Sequence, residues 1–151
     1  MIPHLRKILL AEDSENDAEL TLAALAANRV ANEVVAVRDG VQALDYLYRR
    51  GEYANRAPEH PALILLDLKM PKVDGLQVLR EVKSDPEMRI IPVVVLTSSR
   101  EEHDVVRSYG LGVNAYVVKP VEFGDFMDAV KVLGQFWAVV NESPVWRGQG
   151  T

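Results

Sequence analysis

Short unbroken apolar runs alternate along this chain with longer segments whose apolar positions recur every three or four residues. Lys7-Ile8-Leu9-Leu10-Ala11-Glu12 reads as a buried strand. Ser14 is placed as an N-cap, and 15–28 carries a helical pattern through Leu20, Leu22 and Leu25. Residues 33–37, β-branched, predict a second strand, after which Asp39-Gly40 turns the chain into a helix with Val41, Leu44 and Leu47 on one face and Gly51 as its stop. Residues 52–61, with two prolines and no apolar period, predict a long loop. A third strand is predicted over 62–67, and a helix over 73–84 buries Leu76, Leu79 and Val82 and ends at Asp85-Pro86. Residues 92–97 form a fourth predicted strand. Ser99-Arg100-Glu101-Glu102 has capping-box spacing and opens a fourth helix, which Gly110 and Gly112 close. Residues 113–118 are a fifth strand. A last helix over about 122–140 aligns Phe123, Phe126, Val130, Leu133 and Trp137.

This pattern is (βα)₅. Strands that are apolar at every position are buried on both faces, and strands joined by helices run parallel with right-handed crossovers. The expected fold class is therefore α/β, a doubly wound parallel sheet with helices on both sides.

Composition narrows the function. The 151 residues are 48% apolar and 26% charged, the size and mix of one globular domain that folds without a disulfide or metal staple. There is no cysteine, so a thiolate zinc site and a thiol nucleophile are excluded. No run approaches the ~18 apolar residues of a membrane span, and Met1 to Lys7 lacks a signal-peptide core, which makes the cytoplasm the expected compartment. Seventeen basic against 22 acidic residues give a net charge of −5, which argues against a general nucleic-acid surface. Glu12, Asp13, Glu15, Asp17 and Glu19 crowd one short stretch. Glu15, Asp17 and Glu19 read as the solvated acidic start of a helix, where acids are favoured.

Glu12 and Asp13 need another account. In an open α/β sheet, function sits at the carboxyl ends of the strands. Glu12-Asp13 stand at the end of the first strand, Asp67 at the end of the third, Thr97 at the fourth and Lys119-Pro120 at the fifth. If the first and third strands are neighbours, three carboxylates converge and repel one another unless a cation sits among them. An all-oxygen set without His or Cys suits Mg²⁺. A carboxylate, a hard divalent ion, a hydroxyl and an ammonium are what phosphoryl transfer to a carboxylate requires.

With these elements in place, the chain resembles a two-component response-regulator receiver domain. Leu10-Ala11-Glu12-Asp13, Leu65-Leu66-Asp67-Leu68-Lys69-Met70-Pro71 with Asp74-Gly75, Leu96-Thr97-Ser98 and Tyr116-Val117-Val118-Lys119-Pro120 carry the likeness over about residues 6–140. The resemblance implies the flavodoxin-like receiver fold, with strand order 2-1-3-4-5. It makes Asp67 the phospho-acceptor and has Glu12, Asp13, Asp67 and the main-chain carbonyl of Lys69 hold Mg²⁺ (or Mn²⁺). Thr97 and Lys119 would bind the phosphoryl group, and Lys119-Pro120 would be a cis peptide. Tyr116 matches the aromatic that moves inward when the Thr hydroxyl engages phosphate, against the plainer reading of a half-buried strand tyrosine.

A narrower likeness is carried by Gly51-Glu52-Tyr53, Pro71-Lys72-Val73-Asp74-Gly75, residues 91–99 and Phe136-Trp137. These resemble the single-domain regulators paired with phytochrome histidine kinases, which implies such a kinase as phosphodonor and a homodimer as the working form. Lys69 departs from many receivers and leaves dephosphorylation unread. A receiver at 1–141 and a tail at 142–151 are expected. With 31 residues after Pro120 there is no room for an output domain, so the expected output is binding. Phe136, Val139 and Val140 lie partly off the core stripe. They fit either a wide core stripe or a dimer face of the fourth helix, fifth strand and last helix. The expected protein is a signalling module, not an enzyme beyond its own phosphorylation and autodephosphorylation. A relay intermediate passing phosphoryl to a histidine phosphotransfer protein is the alternative. A flavodoxin-like cofactor module is disfavoured by the acidic loop after strand one, and an aspartyl phosphatase by Lys69 where a second acid would stand.

Overall fold

The computed structural model describes residues 6–27, 30, 32–97, 110, 113 and 115–132. Five strands, β1 (Ile8–Ala11), β2 (Val34–Val37), β3 (Leu63–Asp67), β4 (Val93–Thr97) and β5 (Ala115–Val118), form one parallel sheet in the order β2-β1-β3-β4-β5. Helices α1 (Glu15–Ala27), α2 (Gly40–Tyr48) and α3 (Gly75–Ser84) follow β1, β2 and β3, and a last described helix, Phe123–Val132, follows β5. The predicted fourth helix, Leu133 to Val140 and the tail lie outside the described residues.

Alternate residues of each strand feed two separate apolar layers, which explains the unbroken runs. Leu9, Ala11, Ile64, Leu66, Val93 and Val95 pack under α2 and α3. Ile8, Leu10, Leu63, Leu65, Val94 and Leu96 pack with Leu25 of α1 and Phe126.

Two helices start with one device. Asp39 caps α2 by accepting from the Gln42 N–H (2.8 Å), and Asp74 caps α3 by accepting from the Gln77 N–H (2.9 Å). Each cap is followed by a glycine for steric reasons. A Cβ on Gly40 would stand 1.8 Å from the Val73 carbonyl oxygen, and one on Gly75 2.1 Å from the Asp67 carbonyl oxygen. Both helix starts thus pack directly on the loop that leaves β3. Lys72 in that loop adopts φ 66° and sets its ammonium 3.4 Å from the Asp39 carboxylate.

Several helix faces differ from expectation. Leu20 is exposed and α1 buries Thr21 and Leu25. Val41 is also exposed, and α2 buries Ala43, Leu44, Tyr46 and Leu47. Gly51 does not stop α2: Arg49 ends it in the left-handed region (φ 55°), its N–H reaching the Asp45 and Tyr46 carbonyls, and Gly51 opens a 3₁₀ turn, Gly51–Tyr53. Helix α3 begins at Gly75 rather than at residue 73, because Asp74 is its cap.

The loop before β3 is pinned by one side chain. Arg56 donates from Nε to the Tyr46 carbonyl (2.6 Å), and from its terminal nitrogens to the carbonyls of Ala57 (2.7 Å), Glu59 (2.9 Å) and Leu47 (3.3 Å). Its guanidinium also lies 4.2 Å from the Tyr46 ring centre.

Candidate functional site

Register assembles the site. β1 pairs with β3 so that Ala11 faces Leu66, and the next residues out, Glu12 and Asp67, stand side by side. β3 pairs Asp67 with Leu96, one residue short of Thr97. β4 pairs Thr97 with Val118, and the Lys119 N–H donates to the Thr97 carbonyl (2.8 Å). Lys119-Pro120 is cis. Glu12, Asp67 and Thr97 are buried and Asp13 is exposed.

Glu12, Asp13 and Asp67 each offer a carboxylate oxygen, and these lie within 4.8 Å of one another. The Lys119 ammonium reaches among them, 3.1 Å from Glu12 Oε1 and 3.6 Å from Asp67 Oδ1. Asp67 Oδ1 also accepts from the Lys69 N–H (3.2 Å), and Glu12 Oε2 from the Ser14 N–H (3.2 Å). The Lys69 side chain is exposed. Tyr116 is half-buried against the α2–α3 layer.

Burial pushes the Asp67 carboxyl far above the usual carboxylate range, and hydrogen bonding and repulsion from Glu12 add to the rise. Lys119 and the Lys69 N–H pull the other way and do not offset it. For Lys119, burial opposes the charge. The hydrogen bond to Asp17, the field of Asp67 and the Glu12 contact outweigh that and hold the ammonium above the ordinary lysine range. Among the described residues the acids outnumber the cation, so the pocket either takes up a proton or takes up a cation. Three converging carboxylate oxygens, with no His or Cys beside them among the described residues, fit a hard divalent ion.

Two features escaped the sequence reading. Asp17 is no merely solvated acid: its Oδ2 lies 3.0 Å from the Lys119 ammonium. Ser14-x-x-Asp17 spacing places Asp17 on the first turn of α1 but does not say which partner its carboxylate takes. Gly75 was legible only as part of a motif, although its missing Cβ lets α3 approach the Asp67 main chain.

A parallel 2-1-3-4-5 sheet with an acid pair, an aspartate and a lysine at the ends of β1, β3 and β5 defines the receiver class of flavodoxin-like folds. Residues 8–131 match the response regulator receiver domain family, and the chain belongs to it. The chain is 62% identical to the bacteriophytochrome response regulator AtBRR, with a TM-score of 0.88 over 93% of this chain and all of that one. Response regulator Rcp1 of Synechocystis is 44% identical over 130 residues, 86% of this chain and 87% of Rcp1. A Mn²⁺-bound structure of Rcp1 superposes with a TM-score of 0.70 at 42% identity, covering 92% of this chain and 99% of that one. The phosphorylated cyanobacterial phytochrome response regulator RcpA is 48% identical, with a TM-score of 0.71 over 89% of this chain and 94% of that one.

The protein is thus a receiver domain of two-component signalling, close to phytochrome response regulators. It belongs to a family of signalling modules that work with histidine kinases and bind divalent metal. Among the described residues no helix is long and apolar enough to cross a membrane.

Proposed function

We propose that Asp67 accepts a phosphoryl group from the phosphohistidine of a bacterial phytochrome histidine kinase. The observation that carries this is the Asp67 carboxylate at a strand end, beside Glu12 and 3.6 Å from the Lys119 ammonium. An Asp67 oxygen attacks phosphorus in line, the P–N bond breaks, and the imidazole leaves with the electron pair and takes a proton from solvent. Lys119 pairs with a phosphoryl oxygen as charge develops, and the Thr97 hydroxyl donates to another. Glu12, Asp13, Asp67 and the Lys69 main-chain carbonyl are the residues that would hold Mg²⁺, or Mn²⁺ in its place. When bound, the ion neutralises the acid cluster and the phosphoryl oxygens.

The chain catalyses its own phosphorylation and autodephosphorylation and no external turnover. Engagement of Thr97 draws Tyr116 inward and changes the face around β5, which carries the exposed Val118. The output is binding by a receiver at 1–141 with a tail at 142–151. It works in the cytoplasm as a homodimer through the fourth helix, β5, the last helix and the C-terminal extension, with neither nucleic acid nor membrane as partner.

The test is intact mass after incubation with phosphoramidate. The wild type gains one phosphoryl group with Mg²⁺ and none with chelator, and Asp67→Asn gains none. An unchanged wild type, or a phosphorylated Asp67→Asn, removes the assignment.

A further inference from the structure

Lys119 has three N–H donors, and Asp67 is not its nearest acceptor. Asp17 Oδ2 stands at 3.0 Å and Glu12 at 3.1 and 3.4 Å, while Asp67 lies at 3.6 Å, beyond hydrogen-bond distance. The ammonium is therefore held on the α1 side of the pocket.

The local chain explains why Asp17 is available. Ser14 caps α1 by accepting from the Asp17 N–H (3.1 Å), which fixes Asp17 at the third helical position. At this spacing the third residue's side chain ordinarily reaches back to the cap residue's N–H. Here that N–H is already taken by Glu12 Oε2 (3.2 Å), so the Asp17 carboxylate is released toward Lys119. Asp17 is also the most solvated of the three acids: its side chain is 34% exposed, against 0% for Glu12 and 4% for Asp67. A partly solvated acid regains water when the ammonium leaves it, so Asp17 is the partner that can be exchanged for a stronger anion at the lowest cost.

The geometry points to Asp17 as a positioning residue that competes with the incoming phosphoryl group for Lys119 and so slows phosphoryl uptake. This rests on the proposed role of Asp67. In the unphosphorylated domain the ammonium is parked between Asp17 and Glu12. The phosphoryl group brings up to two negative charges and three acceptor oxygens, and draws Lys119 away from Asp17. Loss of Asp17 removes the competitor from the resting state only. Lys119 pairs with phosphoryl oxygens in both the phosphorylated domain and the transition state for hydrolysis, so decay should not change.

Uptake from phosphoramidate with Mg²⁺, and decay after the donor is removed, are followed by intact mass for wild type, Asp17→Asn and Glu19→Gln. Glu19 is an exposed acid of the same helix and controls for net charge. Asp17→Asn is expected to take up phosphoryl about two- to five-fold faster, with its decay rate and melting temperature unchanged and Glu19→Gln like wild type. Uptake that is unaltered or slower in Asp17→Asn overturns the proposal. So does an equal change in uptake and decay, or an equal gain in Glu19→Gln, which would mark a field effect rather than a hold on Lys119. A wild type that gains no phosphoryl group overturns the acceptor assignment, and this proposal with it.

Discussion

The two ends of the sheet are built on opposite electrostatic plans. At the carboxyl ends of the strands, Glu12, Asp17 and Asp67 share one ammonium, and Asp67 is buried at a cost that shows in its raised pKa. At the amino ends, where α2 and α3 finish, hydrogen bonds tie the loops together, although Asn32 Oδ1 and His60 Nδ1 are buried there without a hydrogen-bond partner. The Arg56 guanidinium serves four carbonyls, and the Tyr48 hydroxyl donates to Asp85. One end is left short of positive charge and is ready to take a cation. The other is tied by hydrogen bonds rather than crowded with like charge, and holds the scaffold together. Conflict between local interactions marks the place where stability has been given up for function.

The largest expected effect comes from breaking the backbone support of the acidic end. Gly75→Ala puts a methyl group 2.1 Å from the Asp67 carbonyl oxygen, main chain that cannot swing aside. A loss of about 3 kcal/mol or more is expected in urea denaturation, as for other severe overpacking. Phosphoryl uptake should fall in the population that remains folded, because α3 and the Asp67 main chain must separate.

Next comes the hydrogen-bonded end. Arg56→Ala takes the side-chain donor from the carbonyls of Leu47, Ala57 and Glu59, leaves that of Tyr46 with the Arg49 N–H alone, and removes the cation from the Tyr46 ring. A loss of about 2–3 kcal/mol is expected by the same denaturation assay. Phosphoryl uptake per folded molecule should stay at the wild-type level. A drop in uptake comparable to that of Gly75→Ala would mean that the two ends are not independent.

Asp67→Asn should move stability the other way. In chelator at neutral pH it removes one of two crowded buried carboxyls, and a gain of about 1–2 kcal/mol is expected. Added Mg²⁺ should raise the melting temperature of the wild type more than that of the variant. A metal-free variant less stable than metal-free wild type would contradict the account of the pocket as under-compensated.

The sheet was readable in the sequence because a parallel strand buried on both faces has no polar position to blur it. All five strands stand within a residue or two of their predicted bounds, and the (βα)₅ order follows from their spacing. Helix faces were read less well. Leu20 and Val41 fit an apolar period and are exposed, while Thr21 and Tyr46 are buried, because the sheet surface beneath a helix decides the buried stripe. The site residues were visible one by one at strand ends, and register brings Glu12, Asp13, Asp67 and Lys119 to one pocket. Asp17 was not visible as part of it. Its role depends on which acceptor the Ser14 N–H chooses, a competition that spacing does not encode. Arg56 was hidden for a similar reason: its partners are carbonyls, and every residue has one.

The smallest expected effect tests the hydrogen-bonded end through pH. The Tyr48 hydroxyl donates to Asp85 Oδ2 at 2.5 Å, and Asp85 also accepts from the Glu87 and Met88 N–H groups. One half-buried residue thus joins the end of α2 to the turn after α3 through its carboxylate. Burial pushes the Tyr48 hydroxyl up to about 12, helped by its hydrogen bond to Asp85 and by that carboxylate's charge. The folded domain therefore keeps the phenol proton at a pH where the unfolded chain has released it. The contribution to stability is complete below about pH 10 and is lost as pH rises toward 12. Tyr48→Phe lacks the titrating group. Its stability relative to wild type should be slightly lower at pH 9, and the gap should shrink or close by pH 11.5, as read by urea midpoints at the two values. A gap that widens with alkali would mean that Tyr48 ionises more readily in the folded domain, and the hydrogen-bonded end would then carry a charge conflict of its own.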